Sequence, residues 1–211
     1  MDPSNWQVYL VTQESLSGAH STVEVVQAAI DGGVDVVQLR EKDTSAQFRY
    51  DLGQELRELT NAADVPLLVN DRIDIAQALD ADGVHVGDSD LPLDVARDLL
   101  GPDAIIGYSA STVAAAERAE REGADYVGVG AVYGTSSKAV EAERDGIGIA
   151  RIETIADAVS IPVIGIGGIT AQNAAPVIEA GATGVAVISA ITDADDPEAA
   201  TASLAEVVDD E

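Results

Sequence analysis

Eight short apolar runs, rich in β-branched residues, recur along the chain: VYLVT (8–12), VDVVQLR (34–40), PLLVN (66–70), GVHVG (83–87), AIIGYS (104–109), DYVGVG (125–130), PVIGIG (162–167) and GVAVIS (184–189). They are continuous more than alternating, the mark of parallel strands buried on both faces. Helical patterns lie between them. TVEVVQAAI sets Val23, Val26, Gln27 and Ile30 at helical spacing, and SAQFRYDLGQELREL sets Phe48, Leu52, Leu56 and Leu59 on one stripe. IDGGVDVV, EREGADYV and IEAGATGV each place a glycine between helix and strand, where a left-handed C-cap belongs. Eight such βα units most simply close into a (β/α)8 TIM barrel, an α/β fold, with residues 1–211 as a single domain. An open doubly wound sheet is the alternative. The tail DADDPEAATASLAEVVDDE reads as a last amphipathic helix fraying into acidic residues, and Trp6 as a residue packed at the barrel bottom or against the N-terminal segment.

Charge narrows the partners. The 211 residues carry 38 acidic and 11 basic side chains, a formal net charge of −27. Such a surface repels nucleic acid and anionic lipid, so neither is expected as a partner. Lysine is almost eliminated, only Lys42 and Lys138 remaining. That balance points to a halophilic protein, because at about 1 M salt the Debye length of about 3 Å screens the self-repulsion. Cysteine is absent, which excludes disulfides and thiolate metal sites. The opening MDPSNWQVYLVTQ has no basic region leading into a long apolar core, and no apolar run nears the roughly 20 residues of a membrane span. A cytoplasmic location is expected; the oligomeric state is open, a homodimer included.

In a barrel of this kind the site forms at the C-terminal strand ends. Strand residues two apart face the same way, so Gln38, Arg40 and Lys42 of QLREKD should point together into the mouth. Arginine offers a planar fork for phosphate oxygens and lysine a compact charge. Lys138, in YGTSSK, belongs to another loop at the same mouth. The competing reading is an ion pair of Arg40 or Lys42 with Glu41 or Asp43. Asp71 and Asp90 follow adjacent strands and read as hard oxygen ligands suited to magnesium, or, taken singly, as helix N-caps. IGIGGIT ends a strand in glycines whose backbone N–H groups, with those after the eighth strand, suit a phosphate. His85, in mid-strand, reads as a packed core residue. The inventory describes one basic, metal-assisted anion site and one site of neutral donors, as a diphosphate and a monophosphate would need.

Taken together and in order, QLREKD, VND, GVHVGDSD, IGYSAST, GTSSK, IPVIGIGGIT and VISAI resemble the thiamine-phosphate synthases over nearly the whole chain. The resemblance implies a transferase of thiamine biosynthesis that joins a hydroxymethylpyrimidine diphosphate to a thiazole phosphate and releases pyrophosphate, with Mg2+ as cofactor. It implies that Gln38, Arg40, Lys42, Asn70, Ser109 and Lys138 hold the pyrimidine diphosphate, with Leu39 and Glu41 in the same stretch. Arg40, Lys42 and Lys138 would act on the leaving group, and Asp71 and Asp90 would bind the metal. Thr135, Ser136, Ser137, Gly168, Ile188 and Ser189 would hold the thiazole phosphate. Three residues depart from the family pattern: Asp88 stands where glutamine is frequent, Ser137 where threonine is, and Ser111 where histidine is common. A thiazole tautomerase-like paralogue and a non-catalytic phosphate-binding barrel are the rival readings.

Overall fold

The structure, a computed structural model, describes residues 2–134 and 148–209. Its elements alternate as the sequence leads one to expect. They are β1 (Val8–Val11), α1 (Thr22–Asp31), β2 (Val36–Leu39), α2 (Ala46–Ala62), β3 (Leu67–Asn70), α3 (Ile73–Ala78), β4 (Gly83–Val86) and α4 (Leu93–Leu100). The second half follows with β5 (Ile105–Ala110), α5 (Val113–Arg121), β6 (Tyr126–Gly130), α6 (Gly148–Ala156), β7 (Val163–Ile166), α7 (Ala175–Glu179), β8 (Gly184–Val187), α8 (Ser189–Thr192) and α9 (Pro197–Asp209). All eight strands are parallel and pair in sequence order. The pairing of β1 with β8, Val8 opposite Val185, closes the barrel and excludes the open sheet.

Two cores follow from the period-two alternation of a strand. Val8, Leu10, Val37, Leu39, Leu67, Val69, Val84 and Val86 point outward against the helices. Tyr9, Val36, Leu68, Ile105, Tyr126 and Ile164 point inward, with Trp6 beneath them. Trp6 meets Tyr9 and Tyr126 edge-on at 5.9 and 5.4 Å between ring centres, so these aromatics plug the barrel bottom. The inward positions facing these rings lack side chains. A Cβ on Gly107 would lie 2.1 Å from the Tyr126 ring, and one on Gly128 would lie 3.0 Å from the His85 ring.

The helices start and stop by local chemistry. Ser21 and Glu24 form a reciprocal capping box at the start of α1, and Ser45 and Thr112 cap α2 and α5. Gly33, Gly123 and Gly181, with φ of 90°, 89° and 92°, carry the chain from helix to strand. On α1 the stripe is rotated from the expected one: Val25, Val26 and Ala29 are buried, while Val23 and Ile30 lie at its margin. The tail helix α9 buries Pro197, Thr201, Leu204 and Val208.

A repeated device ties the strands together at their N-terminal ends. Asp35, Asp82, Asp125 and Thr183 each precede an even-numbered strand. Their side chains accept from the amides of Val8, Leu67, Ile106 and Val163, at 2.8, 2.8, 2.7 and 3.4 Å. Their own amides donate to the carbonyls of the same four residues. Asp82 and Asp125 are in turn paired with Arg57 and Arg97. The bottom is thus locked by hydrogen bonds, and the C-terminal ends are left to build a site.

Candidate active site

The C-terminal strand ends surround a cavity of about 380 Å³. Tyr9, Gln38, Arg40, Asn70, His85 and Ser109 line one side, and Gly168, Ile188 and Ser189 line the other. A smaller hollow of about 240 Å³ adjoins it, bounded by Arg40, Lys42, Arg49, Asn70 and Asp71.

The β2 end supplies the basic wall. Gln38 and Arg40 are 4% and 5% exposed and share the larger cavity, as their spacing requires. β2 ends at Leu39, so Lys42 lies in a turn with Asp43, whose φ is 61°. It reaches the smaller hollow rather than the cavity itself. The Arg40 guanidinium donates to Gln13 Oε1, and its amide to Thr12 Oγ1 at 3.0 Å. Among the described residues it makes no ion pair with Glu41 or Asp43. Burial pulls the Arg40 pKa below its ordinary value; the charges of Asp71, Glu41 and Asp43 act against that. Leu39 and Glu41, like Lys42, border the smaller hollow and not the larger cavity. Leu39 packs outward, against the face where Gly53 of α2 comes close. The Glu41 carboxylate accepts from Thr12 Oγ1 and the Glu14 amide, both at 2.8 Å, and so fastens β2 to the loop after β1.

The β3 and β4 ends supply the acidic wall. Asp71 has φ 61°, and its amide donates to His85 O at 2.9 Å, which holds it between the two strands. Asp90 Oδ2 accepts from the Gly87 amide at 2.8 Å in the turn that closes the β4 loop. Neither aspartate caps a helix: α3 has Arg72 at its cap position and α4 has Pro92. Burial, and next the charge of Asp90, raise the Asp71 pKa, while Lys42 lowers it. Two facing carboxylates without histidine or a third acid form a sparse hard-oxygen set. Among the described residues no cluster of three or more such ligands exists. That set fits magnesium, which typically takes one or two carboxylates and completes its shell with water and substrate oxygens.

The centre of the site differs from the expectation for His85. Its neighbours Val84 and Val86 point outward, so His85 points into the barrel and lines the cavity. Its Nδ1 lies 2.8 Å from Tyr126 Oη and its Nε2 2.9 Å from Ser109 Oγ. Tyr126 Oη is 2.9 Å from Tyr9 Oη, which accepts from Gln38 Nε2 at 2.6 Å. A chain of hydrogen bonds therefore crosses the barrel from Gln38 to Ser109. Asp88, which stands where the family frequently has glutamine, is held at the rim. Tyr108 Oη donates to its Oδ1 at 2.5 Å and Arg118 Nη2 at 3.0 Å, and these two bonds lower its pKa. Ser111 also lines the cavity.

The β7 and β8 ends supply neutral donors. Gly167 and Gly168 have φ of 108° and 65°, and a Cβ on Gly168 would sit 2.6 Å from Gly134 O. The loops after β6 and β7 therefore touch, joined by Tyr133 N to Gly167 O at 2.9 Å. Asn173 braces the turn, donating to Gly168 O and accepting from the Thr170 amide. The amides of Gly168, Ile169 and Ser189 have no acceptor among the described residues. Residues Thr135, Ser136, Ser137 and Lys138 lie outside the described residues. Among the described residues no helix is long and apolar enough to cross a membrane.

Known proteins share both the sequence and the shape. The profile of the family described as thiamine monophosphate synthase matches residues 8–191. A thiamine-phosphate synthase from Natronomonas pharaonis is 62% identical over 202 residues, 96% of this chain and 94% of that protein. One from Haloarcula marismortui is 60% identical over 206 residues, 97% and 98% of the two chains. The solved thiamine phosphate pyrophosphorylase from Pyrococcus furiosus superimposes with a TM-score of 0.88 at 38% identity, covering 99% of this chain and 98% of that one. With that extent of match in sequence and shape, the chain belongs to the thiamine monophosphate synthase family.

Proposed function

We propose that the chain is a transferase that condenses 4-amino-2-methyl-5-hydroxymethylpyrimidine diphosphate with a thiazole phosphate, giving thiamine monophosphate and pyrophosphate. One observation carries the reading onto this chain's own residues: Gln38, Arg40, Asn70, Ser109, Gly168, Ile188 and Ser189 share one cavity, with Lys42 and Asp71 at its side.

The work of each group follows from its place. Tyr9, Val11, Ile164 and Ala186 form an apolar floor for the pyrimidine ring, and Gln38 and Ser109 offer polar contacts to its edge. Arg40 and Lys42 face the diphosphate, whose charge grows as the carbon–oxygen bond breaks; the family motif adds Lys138, which lies outside the described residues. Neutralising that charge is the main catalytic demand, because the reaction needs no protein nucleophile. The electron-rich aminopyrimidine stabilises the positive methylene carbon, so the displacement is dissociative. The thiazole nitrogen then captures that carbon, held in line by its phosphate on the Gly168, Ile188 and Ser189 side. Asp71 and Asp90 would hold Mg2+, which when bound supplies further positive charge to the diphosphate oxygens.

The protein acts as one barrel domain in a salt-rich cytoplasm, a reading supported by its −27 charge. Incubation of both substrates with Mg2+, followed by separation of the products, tests the function. Thiamine monophosphate and pyrophosphate should appear in equal amounts. A failure to form either would remove the proposal and favour a phosphate-binding barrel without this activity.

A further inference from the structure

The hydrogen-bond chain across the barrel has a direction. Gln38 donates its amide N–H to Tyr9 Oη. Tyr9's own proton is then directed to its other partner, Tyr126 Oη. With that acceptor site filled, the Tyr126 hydroxyl donates onward to His85 Nδ1. An imidazole that accepts at Nδ1 carries its proton at Nε2 when neutral, and so donates to Ser109 Oγ. The arrow therefore runs Gln38, Tyr9, Tyr126, His85, Ser109. Burial raises the pKa of both phenols, so they stay protonated and the arrow persists. At one end the Gln38 carboxamide has used one N–H inward, which fixes the side chain's orientation, and its Oε1 acceptor and second N–H remain for the cavity. At the other end Ser109 accepts from His85, and its O–H remains to donate into the same cavity.

We infer that Tyr9, Tyr126 and His85 are positioning residues that fix the polarity of the pyrimidine subsite, presenting an acceptor at Gln38 and a donor at Ser109. This rests on the reading that the cavity takes an aminopyrimidine. An aminopyrimidine edge has the opposite pair, an exocyclic N–H donor and a ring-nitrogen acceptor. A hydroxypyrimidine tautomer in the same pose would set its carbonyl against Gln38 Oε1 and its ring N–H against the Ser109 O–H. The relay thus selects the amino form through three side chains, of which the two tyrosines pack on Trp6 at the floor of the cavity.

The test reads the proton itself. The chain has two histidines, so ¹⁵N-histidine NMR needs only His20 and His85 to be told apart. In the wild-type enzyme His85 should show a pyrrole-like Nε2 and a pyridine-like Nδ1. The reverse tautomer would overturn the inference, whatever any variant does. Tyr126→Phe keeps the ring that packs on Trp6 and removes one link. It should mix the two tautomers and raise KM for the pyrimidine diphosphate about tenfold, the value of one hydrogen bond. KM for the thiazole phosphate should not move, which a general loosening of the barrel would not spare. Tyr9→Phe, a link further from His85, should give the same split. An unchanged pyrimidine KM in both variants would overturn the inference while leaving the overall reaction in place. Absence of product from the wild-type enzyme would instead sink the underlying reading.

Discussion

Asp71, at the end of β3, faces Asp90 in the loop after β4, and each carboxylate lies within the other's field. Burial and then that neighbour raise the Asp71 pKa. A carboxyl whose folded pKa exceeds its unfolded value of about 3.9 adds stability below that value. The contribution is lost as pH rises through the folded pKa. The metal-free protein therefore carries an unfavourable ionisation at neutral pH.

Asp71→Asn should relieve it. In the absence of metal at about pH 7 the variant should be more stable than the wild type, read as a higher Tm. The gain should shrink on acidification, and added Mg2+ should raise the Tm of the wild type more than that of the variant. Calorimetry with and without Mg2+ at two pH values measures both effects. A neutral-pH Tm below the wild type would show that Asp71 is structural instead.

Arg40 yields a second prediction. It is buried, and among the described residues no acid stands within ion-pair distance. Its fork is open to an anion, and the product pyrophosphate is the simplest probe. With Mg2+ and pyrophosphate at about 100 times Kd, the wild type should gain about 2.7 kcal/mol of stability. Arg40→Gln should fold and bind the probe about 1.5–3 kcal/mol more weakly, as expected when a charged hydrogen-bond donor is removed, so about half or more of that gain should disappear. A full ligand-induced Tm shift in the variant would take Arg40 out of the diphosphate subsite.

The sequence exposes one part of this site well and another poorly. Gln38 and Arg40 are legible because period two puts both on one face and an apolar strand has no structural use for them. Asp71 and Asp90 are legible because they follow adjacent strands. His85 misleads because a histidine between two valines looks like core. The parity that sends Val84 and Val86 outward sends His85 inward, level with Asn70 on β3, and that was the available signal. Lys42 is misplaced for a related reason: alternation ends where the strand does, at Leu39. Gln13 and Thr12, which hold Arg40, come from the loop after β1 and have no sequence pattern that pairs them with it. The aspartates at the strand entrances repeat before β2, β4 and β6, but the partners common to all three are backbone amides, which no side-chain pattern reports.

The rim pair Asp88 and Arg118 yields a third prediction. Arg118 also donates to Tyr108 Oη at 2.7 Å and stands over that ring, so it fixes Asp88 from two directions. Arg118→Ala should release a negative charge at the mouth and raise KM for the diphosphate substrate severalfold at low salt. Asp88→Asn in the same background should restore it. At about 1 M salt, where screening acts over about 3 Å, the single variant should approach the wild type. A defect that survives both changes would assign Arg118 a structural role at Tyr108 alone.

The overall charge sets the last prediction. At −27 the folded chain repels itself, and screening shortens from about 10 Å at 0.1 M salt to about 3 Å at 1 M. Tm should therefore rise steeply over that range. Charge, as distinct from a general salting-out effect, can be isolated on α2, where Asp51, Glu55 and Glu58 lie exposed beside the buried Leu52 and Leu56. Each reversal to lysine changes the net charge by two, so all three take −27 to −21. The triple variant should need less KCl for the same Tm, yet match the wild type at high salt where the field is screened. If the two salt curves stay parallel throughout, self-repulsion is not what the salt relieves, and the acidic surface must act through its binding of water and cations.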